Sequence, residues 1–285
     1  LLKKCSSINQ KTPHMTEDIL SPTGLYYRLN RWLPGRPGLV FIHGLSGSSS
    51  AWRRYEKRWE NKYNLLFYDL RGHGKSAKFK ELSDYAIPAL ANDLFALTQS
   101  LGLKDFILVA HSFGGLIALE FIRRHQNLIK AAIFLSPIFN VKQRLVTRLL
   151  EPLVGLSKIL NRLPFSERPG RQLDYSGYIN TGDWNLRRMS ADIPNTGWRA
   201  YLYSLEQFYK FQGEKILKLI DRPVLIISGL KDTIAPPAQV KQTSRIIKNS
   251  RLVLIKRANH IIVLNNFLPV AEAIENFIND SLISA

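Results

Sequence analysis

Short apolar runs alternate with helical patterns over most of the chain. Residues 38–43 contain Leu39-Val40-Phe41-Ile42, and similar runs occupy 64–70, 105–110, 130–135, 223–228 and 251–255. These runs are apolar nearly throughout instead of alternating with polar residues. That is the mark of strands covered on both faces. Between them, residues 49–61, 87–101, 113–126, 237–248 and 269–283 place apolar side chains at helical spacing. Strand and helix taking turns in this way predicts a mostly parallel sheet with helices on both sides. The first 35 residues are less regular, and the stretch 24–33 predicts one or two antiparallel edge strands.

The alternation breaks between about 138 and 222. That stretch holds Trp184, Trp198, five tyrosines and several prolines, with no convincing buried strand. It is too long for a loop inside a compact domain, so it should be a structure of its own. Residues 141–165 are rich in leucine, with Lys142, Arg144, Arg148, Lys158 and Arg162 interspersed. Pro152 and Gly155 are expected to split them into two short helices, and 201–219 is a further helical stretch. The division expected is a sheet domain in two parts, 1–137 and 223–285, with a helical cap, 138–222, inserted between them.

The local pattern around Ser112 carries the chemistry. An apolar run ending in Ala110-His111 stops at this serine, and a helical pattern starts at Phe113-Gly114-Gly115. A strand, a sharp turn and a helix follow one another with a hydroxyl at the apex. Such a turn holds the serine in a strained conformation, clear of the sheet, with the helix N-terminus beside it. Ala110 and Gly114 are small enough for so tight a reversal.

A serine hydroxyl is a weak nucleophile without a base, and the base needs an orienting acid. His260 follows the last strand-like run, and Asp232 follows the run 223–228 in Gly229-Leu230-Lys231-Asp232. All three therefore leave the carboxyl edge of the same sheet, where open α/β sheets build their sites. His111 should point away from the nucleophile on so tight a turn, and the other histidines fit the base role less well. The alternative place for the acid, after residue 135, offers Ser136-Pro137 and no carboxylate. Acyl transfer also needs donors for the developing oxyanion. The backbone amide of Phe113 is one candidate. The amide of Leu45, in the turn His43-Gly44-Leu45-Ser46-Gly47, is the other, with His43 bracing that loop.

Taken together, Phe41-Ile42-His43-Gly44-Leu45-Ser46-Gly47, Asp69-Leu70-Arg71-Gly72-His73-Gly74-Lys75-Ser76, Ala110-His111-Ser112-Phe113-Gly114-Gly115, Gly229-Leu230-Lys231-Asp232 and Asn259-His260 resemble the α/β-hydrolase superfamily in its capped, single-domain branch. The likeness runs from roughly 24 to 283. It implies an eight-stranded sheet with a cap after the sixth strand, a triad of Ser112, Asp232 and His260, and no cofactor. Two positions depart from the usual pattern: Ala110 and Asn259 stand where glycine is commoner.

Serine at 112 argues against epoxide hydrolase and haloalkane dehalogenase chemistry, which use a carboxylate nucleophile in this fold. The motifs usual in hormone-sensitive-lipase and proline-releasing peptidase types are absent. His111, where carbon–carbon bond hydrolases often carry Asn, argues against that class. The expected activity is hydrolysis of a carboxylic ester through an acyl-serine intermediate, in the manner of an esterase or lipase. Acyltransferase, thioesterase and carbon–carbon hydrolase chemistry on the same triad remain open alternatives. The substrate expected is a small-molecule ester with an apolar acyl group. The leucines of 141–165 are expected first to pack onto the core, and a sharper reading has these basic, leucine-rich helices rest on anionic lipid and admit acyl chains.

Composition narrows the partners. Cys5 is the only cysteine, which excludes an intrachain disulfide and a cysteine-based metal site. The net charge of +18 is spread along the chain, densest over 241–257 with six basic residues and no acids. No recognised nucleic-acid module accompanies it, so either a lysine-rich proteome or weak contact with an anionic membrane surface is expected rather than specific nucleic-acid binding. No apolar run approaches the ~18 residues of a membrane span. The first residues are too short for a secretory signal, which favours a cytoplasmic location, although the chain starts without Met and a removed leader stays open.

Overall fold

The computed structural model describes residue 15, residues 19–139 and 168–282, and the isolated positions 152, 155, 156 and 159. Among these residues an eight-stranded sheet is formed by β1 (Ile19–Leu20), β2 (Tyr26–Leu29), β3 (Gly38–Ile42), β4 (Asn64–Tyr68), β5 (Phe106–His111), β6 (Ile129–Leu135), β7 (Val224–Gly229) and β8 (Ser250–Ile255). The strands lie side by side in the order β1-β2-β4-β3-β5-β6-β7-β8. β1 and β2 pair antiparallel, as does β2 with β4, and every later pair is parallel. The fold is thus the doubly covered α/β sheet expected, with the antiparallel strands confined to one edge.

The strands' unbroken apolar character has its explanation in the two cores. Val40, Ile42, Leu66, Leu108, Phe134 and Ile226 point to one face, under α2 (Ile87–Ser100), α3 (Phe113–His125) and α7 (Pro237–Ile246). Their alternating neighbours Leu39, Phe41, Leu65, Phe67, Ile107, Ile133 and Ile227 point to the other, under α1 (Arg53–Trp59) and α8 (Phe267–Leu282). Because side chains alternate across a strand, a sheet buried on both faces needs apolar residues at every position. The second core is strongly aromatic. Phe41 stacks on Phe67 at 4.5 Å between ring centroids and meets Trp52 at 5.1 Å. Such pairs contribute about 0.5–1.5 kcal/mol each beyond the area they bury. A buried ion pair fastens the antiparallel edge to this layer: Arg28 of β2 donates to Glu56 of α1 at 2.8 Å.

Two helical expectations are revised and one helix is added. The stretch 49–61 begins with one tight turn, Ser49–Trp52, before α1 starts. The stretch 201–219 is α5 (Trp198–Lys210) followed by the short α6 (Glu214–Leu217), with the chain extended at Phe211 between them. A helix not expected at all, α4 (Leu186–Thr196), precedes α5. Its polar composition and Pro194 hide it from a reading of apolar spacing, but Asn185 caps it by accepting from the Arg188 amide at 2.8 Å. The pair of helices expected over 141–165 lies outside the described residues. Between β6 and β7, α4 and α5 rest on the sheet domain through Tyr203 and Ala200 against Tyr85, and through the Thr196 hydroxyl, which donates to the carbonyl of Ser46 at 2.9 Å. Among the described residues no helix is long and apolar enough to cross a membrane.

Candidate active site

β5 ends at His111, α3 begins at Phe113, and Ser112 alone makes the turn between them with φ 51° and ψ −116°. A non-glycine residue in that region is strained, and the surrounding fold must hold it there. Two bonds do so. The Ser112 amide donates to the Leu135 carbonyl at 3.0 Å, and the Ser112 carbonyl accepts from Gly115 at 2.8 Å. The strain keeps the hydroxyl at the carboxyl edge of the sheet, at the mouth of α3.

Asp232 and His260 arrive from neighbouring strand ends. Asp232 lies three residues beyond β7 and His260 five beyond β8. Their two loops are tied to each other: the Lys231 amide donates to the Ala258 carbonyl at 2.9 Å. They lie so close that a Cβ on Gly229 would stand 2.2 Å from the Ala258 carbonyl oxygen, so this position admits only glycine.

The structure brings together the three side chains singled out in the sequence. The Ser112 hydroxyl lies 2.8 Å from His260 Nε2. On the far side of the ring, Nδ1 lies 3.1 and 3.0 Å from the two carboxylate oxygens of Asp232. Asp232 Oδ1 also accepts from the amides of Ile234 and Ala235, at 2.9 and 2.6 Å. Burial pushes the Asp232 carboxyl up, but the hydrogen bond and charge of His260 and the Ala235 amide outweigh it and hold the group below its ordinary value. The carboxylate is therefore ionised at neutral pH. It fixes the Nδ1–H tautomer, leaving Nε2 free to accept the serine proton.

The two amides expected to face an oxyanion sit against this centre. Phe113 is the first residue of α3, and a helix cannot satisfy its own first-turn amides. The Leu45 amide donates to no backbone carbonyl among the described residues. Its loop lies close against Ser112: a Cβ on Gly44 would stand 3.4 Å from Ser112 Cβ and 2.8 Å from His111 Nδ1. His43 braces the loop as expected. Its Nδ1–H donates to the Gly44 carbonyl at 2.8 Å and its Nε2 accepts from the Leu70 amide at 3.0 Å. Burial lowers its pKa to about 4, so it stays neutral.

Two contributors were not legible in the sequence. His111 does not contact the serine hydroxyl; its Nε2–H donates to the main-chain carbonyl of His260 at 3.0 Å. Burial, helped by the charge of His260, lowers its pKa to about 3 and keeps it a neutral donor. Asp183, between β6 and β7, accepts from the His260 amide at 2.7 Å. Neither residue type announces such a role, because both act through the main chain of a residue far away in sequence. Among the described residues, no group of three or more His, Cys, Asp or Glu side chains is placed to hold a metal ion.

Comparison with known proteins agrees with this architecture. The protein named "Putative carbamate hydrolase RutD" of Pseudomonas savastanoi pv. phaseolicola is 26% identical over 261 residues, covering 85% of this chain and 94% of its own length. The 3-oxoadipate enol-lactonase 2 of Acinetobacter baylyi is 25% identical over 234 residues, covering 79% and 82%. A thermophilic esterase from Thermogutta terrifontis shares the fold with a TM-score of 0.74 at 19% identity, over 95% of this chain and 99% of that one. The sequence model of the α/β hydrolase fold matches residues 37–267, the span that carries the strained serine turn, the loops of Asp232 and His260 and the strands β3 to β8 beneath them. The chain therefore belongs to the α/β-hydrolase fold family.

Proposed function

We propose that this hydrolase cleaves carboxylic esters through an acyl-serine intermediate, with Ser112 as nucleophile, His260 as general base and acid, and Asp232 as the orienting carboxylate. One observation carries the reading: a buried, unbroken relay from the Ser112 hydroxyl to His260 Nε2 and from His260 Nδ1 to Asp232. His260 takes the hydroxyl proton as Ser112 Oγ attacks the ester carbonyl, and the ionised Asp232 stabilises the imidazolium that forms. The amides of Leu45 and Phe113 stabilise the oxyanion of the tetrahedral intermediate. His260 then gives its proton to the leaving alcohol. In the second half a water, deprotonated by the same imidazole, releases the acid and restores the serine.

Residues 138–222 serve as the cap in this reading, with their apolar side chains selecting the acyl group. Relatives of this chain are named for an enol-lactone, a carbamate and, among solved structures, an ester. A lactone and a carbamate ester therefore belong beside p-nitrophenyl acetate, butyrate and decanoate in the first substrate panel. Release of p-nitrophenol at rates that depend on acyl length, with labelling by a fluorophosphonate, is the expected result. No turnover of any member and no labelling would defeat the proposal.

A further inference from the structure

Asp183 belongs to none of the strands and loops that carry the triad. It lies between β6 and β7, three residues before α4, and it is buried. Its carboxylate is divided between the base loop and the acid loop. Oδ1 accepts from the His260 amide at 2.7 Å. Oδ2 accepts from the amide of Thr233 at 2.9 Å and from its hydroxyl at 2.6 Å. Thr233 is the residue after Asp232. One carboxylate thus holds the main chain at or beside both partners of the relay, through bonds strengthened by its charge.

The chain around Asp183 is fastened to the same region. The Thr181 carbonyl accepts from the side-chain amides of Asn259 and Asn265, both at 2.8 Å. The Asn180 amide donates to Asn265 Oδ1 at 2.8 Å, and Arg188 donates to the Asp183 carbonyl at 2.8 Å. Asn259 is one of the two positions where this sequence departs from its family's glycine. Its side chain is what reaches across to Thr181. The His260 main chain is therefore gripped at both ends, its amide by Asp183 and its carbonyl by His111.

We propose that Asp183 is a positioning residue, contributed by the segment between β6 and β7, that locks the base and acid loops in register so that His260 meets Ser112 and Asp232 together. The proposal rests on the triad reading above. Without the carboxylate, the His260 and Thr233 amides lose this shared acceptor and the two loops lose a common anchor. A shift of His260 by an ångström lengthens the bond on which proton transfer depends, while the surface that binds substrate stays in place.

The test compares the parent protein with Asp183→Ala, Asp183→Asn and Ser112→Ala in p-nitrophenyl butyrate turnover and in the rate of fluorophosphonate labelling. Asp183→Ala should lower both kcat and the labelling rate about 10- to 100-fold. KM should stay within about threefold of the parent, because the loss falls on the transition state. Asp183→Asn keeps a carbonyl oxygen for only one loop and should fall between the two. The imidazole Nδ1 proton held against Asp232 gives a low-field NMR resonance in the parent that should shift or broaden in both variants. Parental turnover in Asp183→Ala overturns the proposal. So does an unchanged resonance with a loss of rate that merely tracks a lower melting temperature. If Asp183→Ala fails to fold, the resonance and kcat of Asp183→Asn decide in the same way. Failure of the parent itself to label would defeat the triad reading and this proposal with it, whereas parental labelling rates in the Asp183 variants would defeat this proposal alone.

Discussion

Replacing Asp232 with asparagine changes one atom and should change which nitrogen of His260 carries the proton. Asp232 Oδ1 is committed to two amides, of Ile234 and Ala235, at 2.9 and 2.6 Å. In Asp232→Asn the side-chain carbonyl oxygen must stay there, because an NH2 group facing two N–H donors would leave all three unsatisfied. The new NH2 then occupies the place of Oδ2, 3.0 Å from His260 Nδ1. It donates, so Nδ1 becomes the acceptor and the ring proton moves to Nε2. Nε2–H now points at the Ser112 oxygen and cannot take its proton. In triads of this kind the wrong tautomer lowers kcat by about 10⁴. That corresponds to about 5.5 kcal/mol of transition-state stabilisation. Folding should hardly suffer, since both amide bonds survive and the new NH2 still meets His260 Nδ1. The assay is p-nitrophenyl butyrate turnover beside thermal melting. A folded Asp232→Asn protein that retains more than about a tenth of the parental kcat would refute the reasoning, since the tautomer argument requires a far larger loss.

Gly44→Ala places a methyl group 2.8 Å from His111 Nδ1 and 3.4 Å from Ser112 Cβ. It should lower kcat about tenfold or more by displacing the serine turn, and comparison of steady-state kinetics with the melting curve checks this. Asp192 accepts from the Tyr175 hydroxyl at 2.8 Å, and burial raises its pKa from 3.8 to about 6. Because the folded pKa is raised, the folded state binds the proton more tightly than the unfolded chain. The group's contribution is favourable at pH below about 4 and is lost as pH rises towards 6, by up to roughly 3 kcal/mol. Asp192→Asn should therefore raise the melting temperature at pH 8 and leave it nearly unchanged at pH 4; equal shifts at both would contradict this.

The sheet was legible because its strands are buried on both faces, so their apolar runs stand out without any need to judge register. Edges moved by a residue or two, as at the run 64–70, whose strand ends at Tyr68. The relay was legible for a different reason. Serine, acid and base each follow a recognisable strand, and a parallel sheet delivers successive strand ends to one rim. α4 escaped because its boundaries are set by an asparagine cap and by contacts with the sheet domain, not by apolar spacing. His111 escaped because its partner is the carbonyl of residue 260, and Asp183 because it bonds the amide of residue 260 together with the amide and hydroxyl of Thr233. Main-chain partners leave no side-chain signature, and only folding reveals which amide lies within reach.

The central claim is that Ser112 carries the acyl group during turnover. Rapid quenching of the protein with p-nitrophenyl butyrate, digestion and mass spectrometry should find a butyryl group on the peptide containing Ser112. The same group should be absent from Ser112→Ala, whose turnover should vanish. Undiminished hydrolysis by Ser112→Ala, or a butyryl group found only on another residue, would contradict the account.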